Sequence, residues 1–261
     1  MMLFLEKLFL WFLLYSFCGW VYESILVSCQ ERRPVNRGFL NGPLCPIYGV
    51  GAVSGVVVLG NIRNPLLLFI IGAVGASILE YFTSWAMEKL FHARWWDYTN
   101  FRFNLDGRIC LLGAIVFGVF AIIIVDVVQP VVGGWTDLMP LPAIHWLSVV
   151  FALLTAIDLA VTVAGIVDFD KSLDQVMAIM AHYGDTMKGA VNGASAKVGE
   201  SWNNGMDMSM DFMLHVRDSA SSILNRQQRR MIASFPKLRT DRNYDTLREL
   251  CEMLEKMYRN R

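Results

Sequence analysis

Three carboxylates, Glu23, Glu80 and Asp158, lie inside long apolar runs of this 261-residue chain. A charge in hydrocarbon is costly and as a rule faces a bundle interior or a wet cavity, so these three are the first candidates for chemistry. Each lies on a polar stripe. Ser84, Glu88 and His92 follow Glu80 at spacings of four, Ser148, Thr155 and Thr162 share helical spacing with Asp158, and Ser16 precedes Glu23 by one heptad. Arg37 and Arg108 are the candidate counter-charges, placed to reach toward Glu23 and Glu80. Asn41, Tyr48, Asp97 and Asn104 are the candidate neutral or secondary contacts. A cluster of two or three carboxylates with two arginines suits a phosphate, a zwitterionic headgroup or a transported ion. The same charges would serve equally as ion pairs that fix helix packing.

Two stretches carry the remaining polar groups. "RGFLNGPLCPIYGVG", residues 37 to 51, interrupts the apolar chain with glycines and prolines. Such backbone is tolerated at membrane depth only where it is buried in protein or lines a polar cavity. It reads either as a re-entrant wall of the site or as an ordinary loop before a tightly packed helix. "RWWDYTNFRFNLDGRIC", residues 94 to 110, alternates aromatic with Asn, Asp and Arg side chains. An aromatic belt at the membrane interface explains its Trp and Tyr content, but not that alternation.

The elements that must position these groups are helices in a membrane. Hydrophobic residues make up 55% of the chain, and its mean hydropathy is +0.42, above the usual range of soluble domains. Apolar runs over 3–28, 43–60, 65–88, 109–129 and 143–167 approach or exceed the roughly 20 residues that cross about 30 Å of hydrocarbon. The expected architecture is therefore all-α, with five spans followed by a helical tail. Basic residues fall in alternate loops: Arg32, Arg33 and Arg37 after the first run, Lys89, Arg94, Arg102 and Arg108 after the third, and only Arg63 in the other two. The positive-inside rule then places the amino terminus outside and the carboxyl terminus in the cytoplasm. Glu23, Glu80 and Asp158 come to similar depth in the cytoplasmic half.

The chain divides into a transmembrane bundle over 1–168, an amphipathic segment over 169–235 and a terminal amphipathic helix over 236–261. In the second part Val176, Met180, Tyr183, Met187, Val191, Ala194, Val198 and Trp202 follow an eleven-residue repeat. Five glycines lie in this part, each costing ~1 kcal/mol in a helix. Such a helix needs a partner surface, either another copy in a homo-oligomeric coiled coil or the membrane lipids themselves.

Several classes are disfavoured. With 23 basic against 23 acidic residues, nothing calls for nucleic acid. Five cysteines without metal spacing read as reduced and structural. Glu88 and His92 at a spacing of four make a poor metal pair, and no cofactor is expected. No GxxxxGK[ST] phosphate loop is present, so ATP hydrolysis would need a separate ATPase subunit.

The stretches "FCGWVYES" (17–24), 37–51, "LEYFTSWAMEKLFHARWWDYTNFRFNLDGRICL" (79–111) and "RRMIASFPKL" (229–238) resemble the bacterial integral membrane family labelled ABC-transporter type IV, or CmpB-like. The resemblance implies a permease but supplies no catalytic or substrate residues. Together these readings point to an inner-membrane transport or channel-like protein. The alternatives are a membrane-embedded enzyme or binding protein acting on phospholipid headgroups, and a lipid-sensing scaffold working through its tail.

Overall fold

The computed structural model describes residues 1–169, 171–176, 178–179, 218, 222–235 and 238–240. It is mostly helical. The helices are α1 (Met2–Glu31), α2 (Pro46–Leu59), α3 (Pro65–Phe91), α4 (Leu111–Ile122), α5 (Gln129–Leu138), α6 (Leu141–Ile166) and α7 (Arg226–Ser234). A π-helical turn, Ile123–Val128, joins α4 to α5 without a break. Four helices are long and apolar enough to cross a membrane: α1, α3, the continuous Leu111–Leu138 and the helix that starts at Leu141. Their outer faces carry many exposed large apolar side chains, including Phe82, Trp146, Phe151 and Leu154, as lipid-facing helices require.

The second expected span, 43–60, is the 14-residue α2. At 1.5 Å per residue it is about 21 Å long, short of the ~30 Å core. The missing length is supplied by extended chain. Arg32 turns left-handed at the end of α1 (φ 53°), and the segment after it retraces that helix. The Val35 amide donates to Ser28 Oγ (2.8 Å), that of Arg37 to Ser24 Oγ (3.2 Å), and that of Cys45 to the Ser16 carbonyl (2.9 Å). From Ser28 to Ser16 is about 18 Å of helix. Pro46 then opens α2 at its first turn, where a missing N–H costs nothing.

Helix directions follow from side-chain contacts. Trp11 Nε1 donates to Thr136 Oγ1 (3.1 Å), Tyr15 Oη donates to Gln129 Oε1 (2.6 Å), and Tyr22 stacks edge-on with Phe120 (5.2 Å). These pairs set α1 antiparallel to α4 and α5. Leu68 packs with Val125, and Gly72 lies against Ala121, so α3 is antiparallel to them as well. Since α1 and α3 run the same way, the chain between them must return. It does so through the extended segment and then α2.

The fourth expected span, 109–129, is also corrected, because the helix continues to Leu138. Pro130 lacks the N–H that the Asp126 carbonyl would accept in an α-helix. The helix widens into the π turn there instead of ending.

The α1–α2 crossing is tight. A Cβ at Gly49 would meet the Ser16 hydroxyl and the Phe12 carbonyl, and one at Gly19 would meet the Tyr48 ring, whereas nothing lies near Gly55. We expect Gly49→Ala to destabilise by about 2–3 kcal/mol. Gly55→Ala should be neutral or mildly stabilising. Melting curves of the detergent-purified variants check both.

The chain divides into two compact units. The first holds Met1–Leu90 and Arg94–Ala164, and the second Phe91–Ala93 with Gly165–Arg261. Within the second, the Asn225 side chain and Gln228 form a capping box that starts α7. Asn225 Nδ2 also donates to the Gly165 carbonyl (2.9 Å). Phe169, Leu173, Leu224, Met231, Phe235 and Leu238 are buried there. The eleven-residue repeat beyond Val176 and the terminal helix of 236–261 lie outside the described residues.

Candidate functional site

The polar centre lies in the first unit, where the retracing segment meets α1, α3 and the loop before α4. The Tyr48 hydroxyl donates to Glu23 Oε1 (2.5 Å), and the Arg37 guanidinium lies 3.5 Å from Glu23 Oε2. Glu23 thus has one cation and one hydroxyl. Arg37 and Tyr48 reach it from opposite ends of the segment that α1 itself holds.

Glu80 is placed differently. It is buried, 7% exposed, and accepts a hydrogen bond from the Tyr98 hydroxyl (3.0 Å). Its Oε2 faces Gly113 at the start of α4, where a Cβ would stand 3.9 Å away. No basic side chain bonds it among the described residues. Tyr98 is delivered by the 94–110 loop. Burial first, and then the Glu80 and Glu23 carboxylates, hold the Tyr98 phenol well above its usual range. It therefore keeps its proton and donates. Because the Glu23 charge acts on Tyr98 as well, the two carboxylates share one electrostatic neighbourhood.

Asp158 makes a second cluster. Its Oδ1 accepts from the Asn41 amide and from Asn41 Nδ2 (both 2.9 Å), and its Oδ2 accepts from the Gly42 amide (2.7 Å). Thr162 Oγ1 donates to Oδ1 (3.2 Å) and accepts from Asn41 Nδ2 (3.0 Å). A carboxylate on α6 thereby satisfies backbone N–H groups that no regular element could pair.

Arg108 does not reach Glu80. It pairs with Glu88 (2.7 Å) and donates to Ser84 Oγ (3.3 Å), with its guanidinium carbon 5.6 Å from the Tyr81 ring centre. Arg94 holds the same Glu88 carboxylate (3.2 Å). Glu88 lies two turns nearer than Glu80 to the loop from which both arginines come, so it captures them first. Asp97 and Asn104 shape the loop. Asp97 accepts from the Thr99 amide and hydroxyl (3.0 and 2.8 Å). Asn104 donates to the Phe101 carbonyl (2.7 Å) and accepts from the Gly107 amide (3.0 Å). The Tyr98 amide in turn donates to the Gly107 carbonyl (2.8 Å), which aims its ring inward.

Of the residues read from the sequence, Glu23, Arg37, Tyr48 and Glu80 come together, and Asn41 joins Asp158. Tyr98, Ser84 and Thr162 were missing from that candidate set. Ser84 and Thr162 lie on the polar stripes that marked Glu80 and Asp158, whereas Tyr98 was hidden among the aromatic residues of its loop. Among the described residues, no three His, Cys, Asp or Glu side chains converge as a metal site.

Long helices with apolar outer faces, packed around Glu80 and the partly buried Glu23, define a multi-pass helical membrane protein. Residues 10–163 match the family model described as "Putative ABC-transporter type IV", and the chain belongs to that family. Comparison with curated proteins and with solved structures returns no match.

Proposed function

We propose that this protein moves a small cation, the proton included, across the bacterial inner membrane, with Glu80 as the central ligand. One observation carries the reading. Glu23 is balanced by Arg37, whereas Glu80 is a buried carboxylate bonded by a tyrosine hydroxyl and no base. With Glu80 ionised the local charge is negative by about one unit, which selects for a cation and against phosphate or a headgroup anion. The ABC-transporter label of the family supports a transport role.

In this reading the extended segment 32–45 and α2 together make the second of five passes. The basic loops then face the cytoplasm, the amino terminus lies outside, and the carboxyl tail is cytoplasmic. The tail serves homo-oligomer assembly or docks a separate ATPase subunit where transport is energised by ATP. The test is flux in liposomes containing only the purified full chain, under imposed gradients of H⁺, Na⁺ or K⁺. Flux above empty vesicles for one of them is expected. Intact, correctly inserted protein that passes none of the three removes the reading.

A further inference from the structure

Asp126 was not among the sequence candidates, and the cluster described above does not use it. It falls near the middle of the continuous helix Leu111–Leu138, in the π turn forced by Pro130. Its side chain is exposed on the outside of the bundle. The neighbours on that surface are Ile123, Val127, Val131 and Trp135, all exposed and apolar. Asp126 makes no hydrogen bond or ion pair with any described residue. A carboxylate ringed by exposed apolar side chains and bonded to no described residue is open to a cation from a partner.

A complementary group lies at the same height. The α2–α3 turn packs on the π segment, since Ile62 joins the cluster of Leu59, Leu68, Val125 and Ile122. Its next residue, Arg63, is exposed and likewise makes no bond with any described residue. Asp126 and Arg63 therefore share one level along the bundle, both unpaired and both facing outward. Within one chain they do not meet.

We propose that this surface is the dimer interface, occupied by a second copy of this chain, with Asp126 of each copy paired to Arg63 of the other. A two-fold axis along the membrane normal preserves depth, so an isologous pair can join only groups at equal height. These two groups meet that condition and form the ion pair twice. A Cβ at Gly134, on the same helix, would meet nothing within 4 Å, and its absence lets the backbones approach. The helix surface thus provides for assembly inside the membrane, separately from any role of the tail.

Charge exchange tests this. Asp126→Lys alone would set Lys against Arg63 across the interface, and Arg63→Glu alone would set Glu against Asp126. Each should be monomeric by mass photometry in nanodiscs, where the wild type is dimeric. Co-expressed with different tags, the two variants should purify as a mixed pair, because both contacts then join opposite charges. A monomeric wild type, lone variants as dimeric as the wild type, or no mixed pair would each overturn the proposal. Should either reversal fail to accumulate, Asp126→Asn and Arg63→Gln serve instead. Each should raise the dimer dissociation constant at least tenfold, and an unchanged constant would overturn the proposal equally.

Discussion

Glu80→Gln is expected to abolish cation flux while leaving the protein as stable as before, or more so. Glutamine keeps the size of the side chain and one carbonyl oxygen to accept from the Tyr98 hydroxyl, now 3.0 Å from Oε1. What disappears is a buried carboxyl group that no basic side chain bonds among the described residues. A unit charge about 4 Å from a bound monovalent cation contributes about 4 kcal/mol at an effective dielectric near 20. That is roughly a thousandfold in affinity. An uncompensated buried charge also destabilises the fold, so removing it costs no stability. Liposome flux and thermal melting of one preparation separate the two readings of Glu80. Lost flux with an unchanged or raised melting temperature fits a cation ligand. Full flux means the carboxylate has no part in transport, and a melting temperature lowered by many degrees marks it as a packing element.

Tyr98→Phe gives a graded companion to that result. The phenol keeps its proton because burial and two carboxylates oppose its ionisation. Its removal leaves Glu80 without its hydroxyl donor, yet with its charge intact. Flux should fall several-fold, with the cation preference of the wild type retained.

How much of this was legible beforehand varied from residue to residue. The apolar run at 65–88 became α3 almost unaltered, because nothing in it competes with helix. The run at 43–60 looked like a span because hydropathy counts residues and not rise. Its preceding chain is irregular, and from Val35 beside Ser28 to Cys45 beside Ser16 it covers about 18 Å of the crossing without helix. Ser24 and Ser28, whose hydroxyls hold it, recur along α1 at a spacing of four, while Ser16 contributes only its backbone carbonyl. That spacing is a visible signal, but one indistinguishable from an ordinary small-residue packing stripe until a second strand lies on it. The run at 109–129 was expected to end before Pro130, and the helix passes through that proline by a π turn, since surrounding helices can hold such a turn in place.

The charges show the same limit. Opposite signs near one another were readable for Glu23 and Arg37, whose partner loop directly follows the helix. Arg108, expected to reach toward Glu23 and Glu80, pairs with Glu88. Glu80 and Glu88 occupy one stripe two turns apart, and only the entry angle of the 94–110 loop decides between them. Tyr98 required more still, because its inward aim depends on the hydrogen bonds of Asp97, Asn104 and Gly107 within that loop.

Asp158→Asn should act through structure, and this sets it apart from Glu80→Gln. The Asp158 carboxylate is an acceptor at both oxygens, for the Asn41 amide and side chain at one and the Gly42 amide at the other. Asparagine offers one oxygen and turns its NH₂ toward a remaining N–H donor, so at least one contact is lost and another becomes repulsive. Hydrogen bonds to charged groups contribute about 1.5–3 kcal/mol each, and partial exposure moderates this, so about 2–3 kcal/mol of destabilisation is expected. The loss is local in origin, because Asn41 and Gly42 lie midway along the extended segment between its anchors at Ser24 and Ser16. Amide exchange over 38–45 should accelerate at least tenfold while that of α3 and α6 stays near wild type. Flux should fall with it, since Arg37 and Tyr48 sit at the two ends of that segment and hold Glu23 between them. Unchanged exchange over 38–45 would show that Asp158 does not fasten the segment, whatever happens to flux. Faster exchange with full flux would place the segment outside the ion path, leaving Glu80 and Tyr98 to define it alone.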